Sequence, residues 1–363
     1  MKKRLLVVAL GALSTSVSAA IDINDNLSVS GFGSLSWARS DNETPLMVNR
    51  SINDENCFDC DTILGLQLDY YNDAFNASVQ VVKRPQDNWS EPQLEWAYLG
   101  YTVGSVQVRA GRLRLPLFLL SEYNYVGHAY NTARPPEEVY NALAGVTAYN
   151  GLSAVWNYPL SDSLQLTATP YIGFKDTNDL RINPQLVVEV ETQYSGGINL
   201  VAAGEYYRWN FAYLTSKYDQ RTVINGGQLV LDSPDTTTDI YTLGAEYEFD
   251  ALKLTAEGQT NDFNSSWYAS VAYRINKLTP YAVYGQSLKK SDENDPYSGK
   301  DGDSITLGLR YDVLNNVSIN GEWQRFKSYG EDPFGRPLSG PFIQSPGQDT
   351  DANLYTIMVN FVF

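Results

Sequence analysis

Along most of this chain, apolar and polar residues change places at every step. Leu27, Val29, Gly31, Gly33, Leu35 and Trp37 alternate with Ser28, Ser30, Ser34 and Ser36. Leu64, Leu66, Leu68 and Tyr70 alternate with Gly65, Gln67 and Asp69, and Val106, Val108 and Ala110 alternate with Gln107 and Arg109. A period of two puts each set on its own face of a β-strand. Leu152–Tyr158, Leu164–Phe174, Trp209–Tyr213, Tyr241–Phe249, Leu252–Ala256, Trp267–Tyr273, Leu278–Tyr284, Ile305–Tyr311 and Val317–Trp323 follow the same rule. Ile198, Leu200 and Ala202 form a weaker case, and 93–102 can be phased with either Leu94/Trp96/Tyr98 or Ala97/Leu99/Tyr101 outward. With the final Tyr355, Ile357, Val359, Phe361 and Phe363, the pattern predicts sixteen strands.

The links between them also alternate. Tight ones fall at Asn72-Asp73, Val103-Gly104, Ser161-Asp162, Tyr206-Tyr207, Asp250-Ala251, Asn276-Lys277 and Asn315-Asn316. Mostly longer ones fall at 39–61, 84–92, 113–145, 175–195, 218–238, 261–264, 288–302 and 328–352. Short links on one side, long on the other, and an even number of strands near ten residues each describe a transmembrane antiparallel β-barrel with periplasmic turns and extracellular loops. A soluble sandwich would alternate too. The tyrosines and phenylalanines near strand ends, among them Tyr70, Tyr158, Phe174, Phe249, Tyr273 and Tyr311, suit the aromatic girdles of a membrane barrel.

The third long link, 113–145, breaks the rhythm. It carries Pro116, Pro135 and Pro136, many aromatics, and charges of both signs. So long an aperiodic connection is usually functional or disordered. Its Leu, Phe, Tyr and Val content speaks against disorder, so it is expected to fold into the bore of the barrel.

The N-terminus changes the cellular picture. Lys2, Lys3 and Arg4 precede an apolar run Leu5–Leu13, and Val17-Ser18-Ala19 fits a cleavage site. The expectation is a signal peptide at 1–19 and one barrel domain at 20–363; the apolar run is too short to span a bilayer as a helix. Aromatics make up 13% of the chain, charged residues 19%, and the mean hydropathy is -0.31. Net charge is -16, or -19 without Lys2, Lys3 and Arg4. That balance disfavours nucleic acid as a partner, since phosphate binding requires basic surface. The acids cluster in long links such as Asp41–Glu43 and Asp349–Asp351, where they are solvated or hold divalent cations at a lipopolysaccharide surface. The only cysteines, Cys57 and Cys60, are expected to form a local disulfide in a secreted chain. With one histidine, His128, they cannot complete a closed zinc site. No metal or cofactor is expected.

The segment NLYTIMVNFVF, ending at Phe363, resembles the closing strand of Gram-negative outer-membrane porins. The resemblance implies that the barrel-assembly machinery reads Phe363. The sixteen strands, and the longest connection after the fifth, are similar to that family as well, which implies a trimer whose third loop narrows the channel. AGRLRLPLF at 110–118 is similar to a Gly-Arg-x-x-x-Pro stretch of phosphate- and carboxylate-channel porins. Taken together, the resemblance implies an outer-membrane diffusion channel for small hydrophilic solutes and ions, with a preference for anions or carboxylates as the alternative.

Charges facing each other across a narrow bore screen solutes by sign. Arg109 shares the inward parity of Gln107 and is the first candidate. Arg112 is inward only if the strand bulges near Gly111. Arg114, Glu122, Arg134, Glu137 and Glu138 complete the candidate constriction, although Glu137 and Glu138 read equally as groups that pin the loop. Glu246, Lys253, Arg274 and Arg310 are expected on the lumen wall as modifiers. Two other classes compete. An outer-membrane hydrolase needs a nucleophile and base, and His128 near Ser121 and Glu122 is the one candidate. A non-conducting receptor or adhesin is the other; a plug domain has no room before Leu27.

Overall fold

The computed structural model describes residues 20–47, 50–85, 92–142, 146–181, 185–224, 227–291 and 297–363, so the expected leader at 1–19 lies outside the described residues. The strands are β1 (Ala20–Asn24), β2 (Leu27–Ser40), β3 (Ile63–Asn72), β4 (Phe75–Lys83), β5 (Gln93–Val103), β6 (Val106–Arg114), β7 (Ala148–Ser161), β8 (Leu164–Gly173) and β9 (Asp176–Arg181). They continue as β10 (Leu186–Ala203), β11 (Tyr207–Ile224), β12 (Gln228–Phe249), β13 (Leu252–Thr260), β14 (Asn264–Tyr273), β15 (Leu278–Lys289), β16 (Gly299–Leu314), β17 (Val317–Ser328) and β18 (Asp351–Val362). Apart from β8 and β9, each pairs antiparallel with its neighbour in the chain, and β18 closes onto β2. β8 and β9 share the partner β10 and form one wall strand, while β1 pairs only with β2 and occupies the row where β18 stops. The wall therefore has the sixteen strands read from the sequence. No helix among the described residues is long and apolar enough to cross a membrane, and the crossing is made by strands.

The faces are inverted relative to a water-soluble protein. Leu35, Leu66, Leu99, Leu243, Leu307 and Ile357 are exposed, whereas Ser34, Ser78, Thr242, Gln259, Ser266, Asn320 and Asn360 are buried. Exposed aliphatic bands and a polar interior are stable only where the outside is hydrocarbon. Closure is the second requirement, because hydrocarbon offers no partner to a bare strand edge. The last residue completes it. Phe363 and Gly31 exchange backbone hydrogen bonds of 2.8 and 2.9 Å, and the Phe363 ring lies over Gly31, where a Cβ would come within 2.3 Å of the ring. At the tight turns, Asp73, Gly104, Asp250 and Asn276 take φ of 51°, 61°, 49° and 55°, which Gly, Asn and Asp tolerate best.

Three expectations need correction. The links 175–195 and 218–238 are strand over most of their described residues. β10, β11 and β12 run 18, 18 and 22 residues, far past the ~10 that span a membrane, so the hairpin stands out beyond the wall. Both faces of that extension meet water, which removes the alternation that marks a strand. The ambiguous segment at β5 adopts both phases. The register slips opposite Gln80/Val81, so Leu94 points out, Glu95 and Trp96 point in, and Leu99 and Tyr101 point out again. Finally, β6 continues through Arg114, so the third long link begins at 115. It contains the 3₁₀ turns Ser121–Tyr123 and Gly127–Ala129 and a single helical turn Glu137–Tyr140.

The lipid-facing assignment predicts that Leu243→Lys costs about 2–4 kcal/mol near mid-membrane. Reversible urea unfolding in liposomes measures it. Thr242→Ser, one residue away on the inner face, is expected to change the same measurement far less.

Candidate pore constriction

Link 115–147 is held inside the barrel by a core of its own. Leu115, Leu117, Phe118 and Val139 are buried against Ala212, Leu214, Ile240, Ala272 and Val283 on the inner faces of β11, β12, β14 and β15. These wall positions have the inward parity that elsewhere carries Ser, Thr and Asn. The sequence therefore turns apolar on both parities in Phe211-Ala212-Tyr213-Leu214, which marks where the loop docks. Glycines make room for it. A Cβ at Gly244 would lie 2.8 Å from Leu119, and one at Gly285 would lie 2.4 Å from the Glu138 carboxyl.

Polar contacts then fix the loop at several heights. The Leu117 carbonyl accepts from Asn210 at 2.9 Å and Thr242 at 2.6 Å. Glu257 accepts the Leu119 amide at 2.6 Å and the Tyr140 hydroxyl at 2.7 Å. Arg208 donates to the Leu119 carbonyl at 3.0 Å and to the Tyr123 hydroxyl at 2.8 Å. At its lowest point the loop reaches the β16–β17 turn, where His128 Nε2 lies 3.1 Å from the Asn315 carbonyl. Arg310 sits 3.3 Å from Nδ1, and a guanidinium can only donate, so Nδ1 accepts and Nε2 carries the proton. Burial and the neighbouring Arg310 both lower the His128 pKa from its usual 6.5.

The middle of the loop is tied by charge. Arg134 Nε donates to Asp61 at 3.0 Å and Nη1 pairs with Glu322 at 3.3 Å, while Asp61 also pairs with Arg50 at 3.0 Å. Arg50 in turn pairs with Glu137. Burial acts to lower the Arg134 pKa, and Asp61 and Glu322 outweigh it, so the value is raised. For Asp61, burial acts upward and Arg134 and Arg50 outweigh it, so its carboxyl is held below the ordinary range. Glu138 differs: burial raises it, and a hydroxyl bond from Ser304 offsets only part of that.

The candidates from sequence divide sharply. Arg114 is spent on Glu95 at 2.5 Å, a carboxylate only 1% exposed that also holds Arg84 at 3.0 Å. Arg134 and Glu137 belong to the buried network, and the Glu138 carboxyl is turned to the wall at Gly285 and Ser304. Arg310 is no free wall charge, since it donates to the carbonyls of His128 and Tyr130 at 2.9 and 2.5 Å and pairs with Asp312 at 2.8 Å. Arg112 does not face the bore. It is registered with Ala97 and Asn150, in phase with the outward Leu99 and Leu152, and it pairs with Asp176 at 3.0 Å on the outer surface. Gly111, at φ 137°, does not turn it inward. Glu246 and Lys253 pair with each other at 3.0 Å, and Arg274 is exposed just past the end of β14.

Besides Arg274, two candidates keep open charge. Arg109 has no carboxylate within ion-pair distance among the described residues. Its Nε donates to Gln107 at 2.6 Å and its guanidinium lies 5.3 Å from the Tyr98 ring centroid. Glu122 is exposed on the loop. Residues missed from sequence are Arg50, Asp61, Glu95, Arg208 and Glu322. Glu322 and Glu257 already stood at inward positions in alternating strands, which was the available signal; Asp61, in a loop, gave none. Cys57 and Cys60 are disulfide-bonded, so the sulfurs that lie near Asp59 are engaged with each other.

A closed barrel with an apolar belt, a polar bore and one loop folded across it is an outer-membrane channel. Comparison with known families agrees: the model for Gram-negative porins matches residues 6–362. This chain belongs to the Gram-negative porins, and it forms a channel for passive diffusion across the outer membrane. Salmonella typhi OmpF, solved with daunomycin, is similar at 12% identity and TM-score 0.63, covering 95% of this chain and 100% of that one. The anion-selective porin of Comamonas acidovorans gives 14% and 0.55, covering 93% and 99%. The trimer form of Vibrio cholerae OmpT gives 12% and 0.57, covering 93% and 100%. The comparison with curated proteins finds no match.

Arg134→Ala leaves buried Glu322 without its cation and Asp61 with Arg50 alone, a loss of about 3–5 kcal/mol for a broken buried pair. The expected outcome is protease cleavage within 115–142 in an otherwise intact barrel. A depressed His128 pKa favours the neutral ring, so its contribution is complete above 6.5 and is lost as pH falls from there through the folded value. The imidazole proton signals of this single histidine report that titration, and His128→Gln is expected to remove this component from the pH profile of stability.

Proposed function

We propose that the channel passes small hydrophilic solutes and ions and screens them by the field between Arg109 on the wall and Glu122 on the loop. The observation that carries this reading is the asymmetry of charge use. Arg50, Arg84, Arg114, Arg134 and Arg310 are matched to carboxylates, whereas Arg109 is not. Opposed charges across a water-filled gap orient dipolar solutes and discriminate by sign. A mild anion preference is the finer reading, and it rests on Arg109 together with Arg208, whose partners are a carbonyl and a hydroxyl.

The remaining expectations extend this reading. We place the chain in a homotrimer, as the family resemblance implies. Phe363, which seals the barrel seam, is the residue proposed to be read during assembly, and the acidic outer loops are proposed to meet lipopolysaccharide. We read no catalytic role. Ser121 accepts the amides of Leu117 and Phe118, and His128 engages Arg310, Ser318 and Asn315, so both serve loop geometry.

Planar-bilayer recording tests the proposal. Stepwise conductance is expected, with a reversal potential that moves toward cations in Arg109→Ala and toward anions in Glu122→Gln. An unchanged reversal potential in Arg109→Ala rules out the role given to that arginine. Retention of conductance in His128→Ala, with no hydrolysis of lipid or peptide by either form, is the expected result for a channel alone.

A further inference from the structure

The first long link, 41–62, also turns inward, and it meets the third loop through charge. Leu46, Met47, Ile52 and Cys60 are buried against Ala38, Phe326, Ala352 and Leu354 of the wall and Phe342 of the last loop. Its path is fixed at both ends. Ala38 and Cys57 exchange backbone hydrogen bonds of 2.8 and 2.9 Å, and the Met47 amide donates to the Pro341 carbonyl at 3.1 Å. The disulfide joins Cys57 to Cys60, and the next residue is Asp61, 2% exposed.

The charge pattern between the two loops is reciprocal. Link 41–62 supplies the cation Arg50 and the anion Asp61. Link 115–147 supplies the anion Glu137 and the cation Arg134. Arg50 pairs with Glu137, and Arg134 pairs with Asp61 at 2.9 Å. Arg50 and Asp61 also pair within their own loop, so both cross-links share one buried cluster. Among the described residues only Glu322 anchors it to the wall by an ion pair, with a hydroxyl contact from Thr356. The inward loop is therefore not held by the barrel alone.

We propose that link 41–62 is a positioning element of the channel. Arg50 and Asp61 clasp the third loop at Arg134 and Glu137, and the backbone pairing of Cys57 with Ala38, next to the disulfide, holds the clasp to the wall. The clasp sets how far the loop swings toward Arg109, and so sets the steadiness of the open state. Neither Arg50 nor Asp61 needs to touch a passing solute. This rests on the channel reading above.

The test is the rate of brief closures in single-channel records. Arg50→Met with Glu137→Gln removes one cross-link without leaving a lone buried charge, and heat-modifiable migration checks that the barrel has formed. Brief closures are expected to rise on the order of tenfold, because the double variant removes the charge coupling between the two loops, and coupling of close charge pairs amounts to at least about one tenfold step, while the reversal potential stays put. Asp61→Asn, which leaves Arg50 with Glu137 and Arg134 with Glu322, removes the other cross-link and guards against a double variant that does not fold; it is expected to move closures in the same direction. Folded variants with wild-type closure rates overturn the clasp. A wild-type protein without stepwise conductance would instead overturn the channel reading.

Discussion

Hydrocarbon cannot hydrogen-bond, and the rest of this structure follows from that. Every backbone amide and carbonyl in the membrane must find its partner in the sheet, so the sheet closes and β18 meets β2. The wall then has a lipid face and a water face, and alternation puts Leu35, Leu243 and Ile357 on one and Ser34, Thr242 and Thr356 on the other. A sixteen-stranded cylinder is too wide for its wall side chains to fill. The protein occupies part of that space with its own loops.

Filling a polar bore poses a problem of its own. A loop laid against Ser and Asn gains little from hydrophobic burial. The chain solves it by making the inner face apolar where the loop docks, at Ala212, Leu214, Ile240, Ala272 and Val283. Where the inner face stays polar, buried carboxylates take over: Glu257 receives an amide and two hydroxyls, and Glu322 receives Arg134, the Ala133 amide and the Tyr281 hydroxyl. Such groups are costly to bury and costly to break, so they specify one arrangement more than they stabilise it. Buried carboxylates also engage Arg50, Arg84, Arg114 and Arg134, so an inward arginine left unmatched, such as Arg109, acquires influence out of proportion to its charge.

The candidate site was legible to different degrees for definite reasons. Arg109 could be placed because strand parity fixes a side. Arg112 could not, because a glycine between the two left its face undecided until Ala97 and Asn150 were known to be its neighbours. Arg310 was expected on the lumen wall and is there, yet its duty to His128 and Tyr130 depends on a loop nearly two hundred residues away. The long hairpin of β11 and β12 was hidden because a strand wet on both faces has no hydrophobic period.

The sequence by itself determined the barrel, its strand number and its closure, and pointed to the third loop as inward, since these depend on local alternation and on link length. Even the odd apolar parity in Phe211–Leu214 was there to be read. Only the tertiary structure decided which charges are spent and which are free. An ion pair joins residues by distance in space, and Asp61 meets Arg134 across a span of chain that carries no periodic signal. The same holds for the interlock of the first and third loops, which exists only once the closed wall brings their ends to the same rim.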